Sequence, residues 1–299
     1  MDSRDYVCAF TINSAAALPA DFPPLPDGLN FRSGLFLPQA DLDWLGRRPY
    51  PARVVLLTSD ALHIIPHPES REPRLSLFLY DVYDLECGRI LLNGWIGLRA
   101  SQAQALLRYN RRSAETVEKF LKVLKALWLP AHPEFAPARE ESPRHSAFGP
   151  PWKEKLLRAW ETEAMEGERP LLWFFQPSEK RVWRCVFKYE SWSAGDLAVV
   201  SPRRVLWITE RRGRVYEPFG TVSFSAPLDA LVRVACVQAG RSWSLHFHFS
   251  SAYTWQIPLN TGQERNAQAF AAAAAGMLEQ RRSAHSQEVR LPCRAEGLP

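Results

Sequence analysis

The chain has 299 residues, 46% of them hydrophobic and 23% charged, with a formal net charge of +5. That length accommodates two hydrophobic cores, and the composition is that of a globular protein rather than a disordered or fibrous one. No run approaches the roughly 20 apolar residues of a membrane-spanning helix; the start MDSRDYVCAF is a poor secretory signal; and five scattered cysteines without a CxxC pair indicate reduced thiols in a cytoplasmic protein, not a disulfide or zinc framework.

Residues 1–27 form an N-terminal arm. A short strand is predicted at 6–12, after which Pro19, Pro23, Pro24 and Pro26 impose an extended path. A first unit follows over 28–129. Short β-branched or aromatic runs at 35–37, 54–57, 62–65, 76–79, 82–86, 89–96 and 105–109 alternate with Pro, Gly, Asp and Ser, the pattern of an antiparallel sheet. A helix closes the unit. Ser113 caps it, and Phe120, Leu121, Val123, Leu124, Leu127 and Trp128 make its apolar face.

Residues 130–168 hold a proline-rich linker and then an amphipathic helix from about 151 to 165. Trp152, Leu156 and Trp160 form one stripe on that helix, which is expected to pack between the units or to open the second. The second unit covers 169–280. A strand is predicted at 182–188, with Trp183, Cys185 and Phe187 on one face. Another is predicted at 242–250, with Trp243, Leu245, Phe247 and Phe249 inward. Thr261 and Glu264 form a capping box for a last helix carrying Phe270, Met277 and Leu278. Residues 281–299 are expected to be a disordered tail.

The two units repeat one arrangement. Asp81 and Asp229 each open an apolar run, and Trp95 and Trp243 follow at the same spacing. Asn110 and Asn260 end the strand-like runs ALLRYN and WQIPLN, and Phe120 and Phe270 each lie ten residues further on.

The stretch RRVLWITERRGRVYEPFGTVSFSAPLDALVRV (203–234), with TSDALHIIPH (58–67) and YDVYDLE (80–86) in the first unit, resembles the pleckstrin-homology-like superfold, in particular its bacterial and GRAM-type members. The resemblance implies a mainly β protein with α-helix: two units, each a bent antiparallel sheet or partly open barrel of about seven strands closed by a C-terminal helix. It also implies a non-enzymatic interaction or scaffold protein that binds a protein or peptide partner. Fold alone does not fix function.

The candidate binding residues are basic and lie in the second unit. Lys180 and Arg181 are placed in a first hairpin loop and Arg184 on the outward face of the next strand. Arg211, Arg212 and Arg214 crowd a second hairpin around Gly213, and Arg203 and Arg204 precede it. Arginine grips phosphate or carboxylate through paired hydrogen bonds. The plainer explanation is a solvated hairpin tip in an arginine-rich protein, since 30 of 37 basic residues are arginine. Residues 1–150 hold 17 basic and 17 acidic side chains, so the whole excess lies in the second half. An excess of five is too small to imply nucleic acid. Two alternatives follow: peripheral binding of anionic membrane lipid by the same arginines, or a metal-dependent hydrolase using His246 and His248. The second lacks an identifiable third ligand. No G-x-S-x-G, Walker or dinucleotide motif is present, and no catalytic residue, metal or cofactor is assigned. The run of alanines at 271–275 makes a thin helix suited to close packing against a sheet or a partner.

Overall fold

The computed structural model describes residues 7–25, 29–39, 50–90, 93–129, 154–184, 188–212, 215–216 and 220–288. Among them the fold is mainly β, with three α-helices. Five strands run in chain order in a first antiparallel sheet: β1 (Phe10–Ile12), β2 (Ser33–Leu37), β3 (Arg53–Leu57), β4 (Ala61–Pro66) and β5 (Leu75–Phe78). A meander follows, β6 (Val82–Ile90), β7 (Asn93–Ala100) and β8 (Gln104–Asn110), and then helix α1 (Ala114–Trp128).

The second half begins with α2 (Glu154–Glu163) and β9 (Leu172–Gln176). Next come a hairpin of β10 (Glu179–Arg184) and β11 (Lys188–Ser193), then β12 (Asp196–Val200) and β13 (Arg204–Thr209). A second hairpin pairs β14 (Arg211–Arg212) with β15 (Val215–Tyr216) and leads to β16 (Gly220–Pro227). The three-stranded sheet β17 (Leu231–Ala239), β18 (Ser242–Phe249) and β19 (Thr254–Pro258) follows, and α3 (Glu264–Glu288) ends the described chain.

The two halves are not separate sheets. Their strands merge into one seven-stranded antiparallel sheet, ordered β8-β7-β6-β16-β13-β12-β9. The join is between β6 and β16, in register from Gly220 opposite Ile90 to Ser225 opposite Leu85. Among the described residues none of the sheets closes into a barrel. Successive strand residues face opposite sides of a sheet, so each face of the joined sheet changes role at the join. One face lies inside the first core, with Leu85, Cys87, Ile96, Leu98 and Leu107 around Phe120, Leu121 and Leu124 of α1. Beyond the join that face is covered by α2, whose Leu156 and Trp160 pack on Leu197, Val199, Leu206 and Ile208. The opposite face lies inside the second core, where Phe174, Ala198 and Val205 meet Phe247, Trp255, Ile257 and Phe270.

Several expectations change. The runs at 82–86 and 89–96 divide differently, because β6 continues through Cys87 and Gly88 to Ile90. Gly88 stands in the strand because Trp95 lies across it; a Cβ there would come within 1.9 Å of the indole. The strand expected at 182–188 is two strands: Arg184 is opposite Lys188, so the chain reverses between them. Cys185 and Phe187 lie outside the described residues, as do Trp152, the proline-rich linker and residues 289–299. Helix α3 runs on to Glu288, well past residue 280. Arg281 pairs with Asp229, and Arg282 donates to the Val232 carbonyl at 2.8 Å, which ties its last turns to β17.

The N-terminal arm is a cover. Its β1 pairs with β2, and Phe22 packs with Phe36, Val54, Leu56 and Ile65 on the outer face of the first sheet. The alanine helix packs within the chain, with Ala267, Ala271 and Ala274 buried in the second core.

Register refines the repeat. A bulge separates Val82 from Asp84 in β6, and the same irregularity separates Leu231 from Arg233 in β17. With Val82 matched to Leu231, the counterpart of Trp95 is Ser244, not Trp243. A slip of one residue inverts the face, so Trp95 and Trp243 do different jobs. Asn110 and Asn260, and Phe120 and Phe270, remain matched: Asn110 is the last residue of the third strand of its meander and Asn260 lies two residues past its own, and both phenylalanines are buried in a core.

Candidate binding surface and the seam between the halves

The two hairpins spring from one end of the seven-stranded sheet. The first leaves β9 after Gln176 and re-enters β12 at Asp196; the second leaves β13 after Thr209 and re-enters at β16. Gln176, Asp196, Thr209 and Val222 are successive register partners across four strands. The roots are bonded to each other. Glu210 N donates to the Gly195 carbonyl at 3.1 Å, and the Glu210 carboxylate accepts from Gly195 N at 3.0 Å.

Behind them is a buried polar brace. Gln176 Nε2 donates to Asp196 Oδ2 at 2.6 Å and to the Pro258 carbonyl at 2.9 Å, while its Oε1 accepts from Asn260 N at 2.9 Å. Trp207 Nε1 donates to Asp196 Oδ1 at 2.9 Å. Asn260 Nδ2 donates to the carbonyls of Pro177 at 2.5 Å and Ala194 at 3.3 Å, holding both ends of the first hairpin. Asn110, its counterpart, caps a turn by accepting from Arg112 N at 2.9 Å. Sequence comparison marks Asn260 as a repeat position and misses this bracing role, which depends on a hairpin without a counterpart among the described residues of the first half.

The eight basic candidates therefore divide. Lys180 and Arg181 lie within strand β10 rather than in a loop, Arg184 is the last residue of that same strand rather than part of a following one, and Arg211 and Arg212 lie in β14. These five share one end of the sheet. Arg214 lies outside the described residues. Arg203 precedes β13 at the opposite end, so it is not part of the group. Arg204 is no surface residue at all: it is fully buried. Its Nε and Nη2 each lie 2.9 Å from the Glu168 carboxylate, Nη1 donates to Ser225 Oγ at 3.1 Å, and Nη2 also donates to the Glu163 carbonyl at 2.5 Å. Its side chain shares the α2-covered face with Leu206 and Ile208, which places it inside.

His246 and His248 lie on β18 with ring centroids 5.9 Å apart. Each is bonded to a neighbouring hydroxyl, His246 Nε2 to Ser244 at 2.7 Å and His248 Nδ1 to Thr254 at 3.2 Å. Burial and then the neighbouring His248 lower the pKa of His246. Among the described residues no three His, Cys, Asp or Glu side chains are grouped to hold a metal ion, and no helix is long and apolar enough to cross a membrane.

Two clusters of ionisable groups flank the join between the halves. On the α2 side, Glu163 pairs with Lys125 of α1 and, at 3.4 Å, with Arg89 of β6; Arg89 also reaches Glu118 at 3.1 Å. Burial pushes the Glu163 carboxyl up, but Lys125 first and Arg89 next overcome it and hold it at about 2. Burial, then the charge of Glu163, pushes the Cys87 thiol up to about 12, which makes it inert. On the opposite face Arg99 of β7 donates to Asp84 and to Glu86 at 3.1 Å, and crosses to the Tyr253 hydroxyl of the second half at 2.6 Å. Trp95 Nε1 donates to Glu86 at 2.8 Å. An open cleft of about 450 Å³, lined by Glu86, Trp95, Arg99, Gln104 and Leu106, lies beside this group.

No family model matches this chain, and no curated protein matches it either.

Proposed function

We propose that the chain is a non-enzymatic interaction protein of two pleckstrin-homology-like units, the second of which binds an acidic protein or peptide partner through its paired basic hairpins. The observation that carries this is the bonded root Gly195–Glu210, which sets β10–β11 and β14–β15 side by side at one sheet end. The first half has no described counterpart of either hairpin. The domain reading is supported by strand order. With β1 and the two hairpins set aside, four strands (β2–β5, or β9, β12, β13 and β16), a one-turn 3-10 helix (Leu79–Asp81 or Leu228–Ala230), a three-stranded meander and a closing helix occur in the same order in each half. Glu163 at the end of α2, Glu168 in the segment that follows it and Arg204 of β13 are engaged with one another or with Lys125 and serve the fold rather than a reaction.

An anionic membrane surface is the second reading, favoured by Trp183, Tyr189, Trp192 and Tyr216 interleaved with the basic residues, a composition suited to the lipid headgroup region. Full-length protein and a variant with Lys180, Arg181, Arg184, Arg211 and Arg212 changed to Glu would be compared in pull-downs from native lysate and in flotation with phosphatidylserine or phosphatidylcholine vesicles. The proposal expects specific protein partners that the variant loses and an Arg203→Glu variant keeps. Partners held equally by all three proteins, or none at all, contradict it. Hairpin-dependent flotation with phosphatidylserine alone selects the membrane reading, each basic residue contributing about 1 kcal/mol.

A further inference from the structure

We propose that the chain associates head to tail with further copies of itself, β5 of one copy adding to the open edge of β17 in the next as β16 adds to β6 within the chain. The basic hairpins take no part in it. Joining β6 to β16 uses one sheet edge from each half. Their repeat counterparts are β17 and β5, and among the described residues each of these has a single strand partner, β18 and β4. A closed two-fold arrangement would pair β5 with β17 inside the chain. Instead the halves are related head to tail, and that relation leaves one edge of each kind unused at its two ends.

Position relative to the 3-10 turns sets the register. In the seam Leu85 and Glu86 lie opposite Ser225 and Phe224. The residues at the same places in the other half are Val234 and Ala235 of β17 and Ser76 and Leu75 of β5. The ladder between copies therefore opens with Ser76 opposite Val234 and Leu75 opposite Ala235. It continues to Arg74 opposite Cys236, residues 71–74 being exposed ahead of β5. Pro73 follows opposite Val237 and, having no N–H, ends the ladder. Arg282 bonds the Val232 carbonyl, which lies before the first matched pair and leaves the ladder open.

Phe78 at the end of β5 and Tyr80 just beyond it are exposed, Tyr80 by 83%, with their rings stacked 5.5 Å apart. Val232 and Val237 are exposed on β17. Covering such side chains is favourable, and an unpaired strand edge is a template for another strand. Neither LSLF of β5 nor LVRVACVQA of β17 holds a lysine, a proline or a carboxylate, the residues that blunt an edge. At the β8 edge, by contrast, Arg53 covers the Leu106 carbonyl at 2.7 Å. The ladder is short, so the association is weak and depends on concentration.

Sedimentation equilibrium of the full-length chain at about 10–500 µM tests this, a range matched to a Kd of about 100 µM. The weight-average mass of the native chain should rise about 2-fold or more across that range without levelling at a dimer. Phe78→Lys/Tyr80→Lys blocks the β5 edge and Val232→Lys/Val237→Lys the β17 edge, and each variant alone should stay monomeric. Mixed in equal amounts they should form a one-to-one dimer and stop there, because each keeps the edge that the other has lost. Val123→Lys, at an equally exposed valine on α1, should associate as the native chain does. A native chain that stays monomeric overturns the proposal. So does association that survives in either edge variant, loss of it in Val123→Lys, or edge variants that ignore each other when mixed. Should a lysine pair unfold its chain, the single substitutions Phe78→Lys and Val237→Lys carry the same test.

Discussion

Glu168→Gln is expected to lower the free energy of unfolding by about 3–5 kcal/mol. Both Glu168 and Arg204 have side chains with no solvent exposure, and the carboxylate takes two parallel 2.9 Å bonds from the guanidinium. It also accepts from Ser201 Oγ at 2.6 Å and from Met165 N at 2.8 Å. Removing the negative charge leaves a guanidinium that cannot lose its proton inside the protein. Urea denaturation should show the midpoint falling with little change in slope. The double substitution Glu168→Leu/Arg204→Met should recover most of the loss, because a buried ion pair contributes little net stability over an apolar pair of similar volume. Failure of the double variant to recover would mean that the bonds to Ser225 and the Glu163 carbonyl matter more than the charge.

Glu163→Gln is expected to cost about 3 kcal/mol at pH 7, with a pH dependence that identifies its origin. The carboxyl falls from 4.5 in the unfolded chain to about 2 in the fold. A lowered acid contributes stability that is complete above pH 4.5 and disappears as pH falls through about 2. The gap between native and Glu163→Gln chains should therefore be constant from pH 5 to 8 and close between pH 4.5 and 2. A gap that persists at pH 2 would assign the cost to packing. Lys125, only 5% exposed, is left without its main partner in this variant; Arg89 keeps Glu118.

What was legible in the sequence is local. The 3.6-residue stripe through Phe120, Leu121 and Leu124 specifies α1, and Leu156 with Trp160 requires an apolar surface that β12 and β13 supply. The pairing of β6 with β16 was not legible. It joins segments at least 130 residues apart, and both strands alternate as any half-buried strand does. The consequence appears at Ser223 and Ser225. They alternate with Val222 and Phe224 and would be assigned to solvent, yet both are buried, because beyond the join that face lies under α2 and Arg204.

Arg204 was misassigned for the same reason. In an arginine-rich chain nothing local separates a buried guanidinium from an exposed one, and its partner Glu168 lies 36 residues away. The candidate surface was half legible. Composition placed the basic excess in the second half, but only the bond between Gly195 and Glu210 shows that two hairpins share one root.

Differential scanning calorimetry of the full-length chain tests the shared sheet most directly. With β6 bonded to β16, and α2 tied to both halves through Glu163, neither half completes its sheet alone. One transition is predicted, with equal calorimetric and van't Hoff enthalpies. Two separable transitions, each confined to one half, would contradict it.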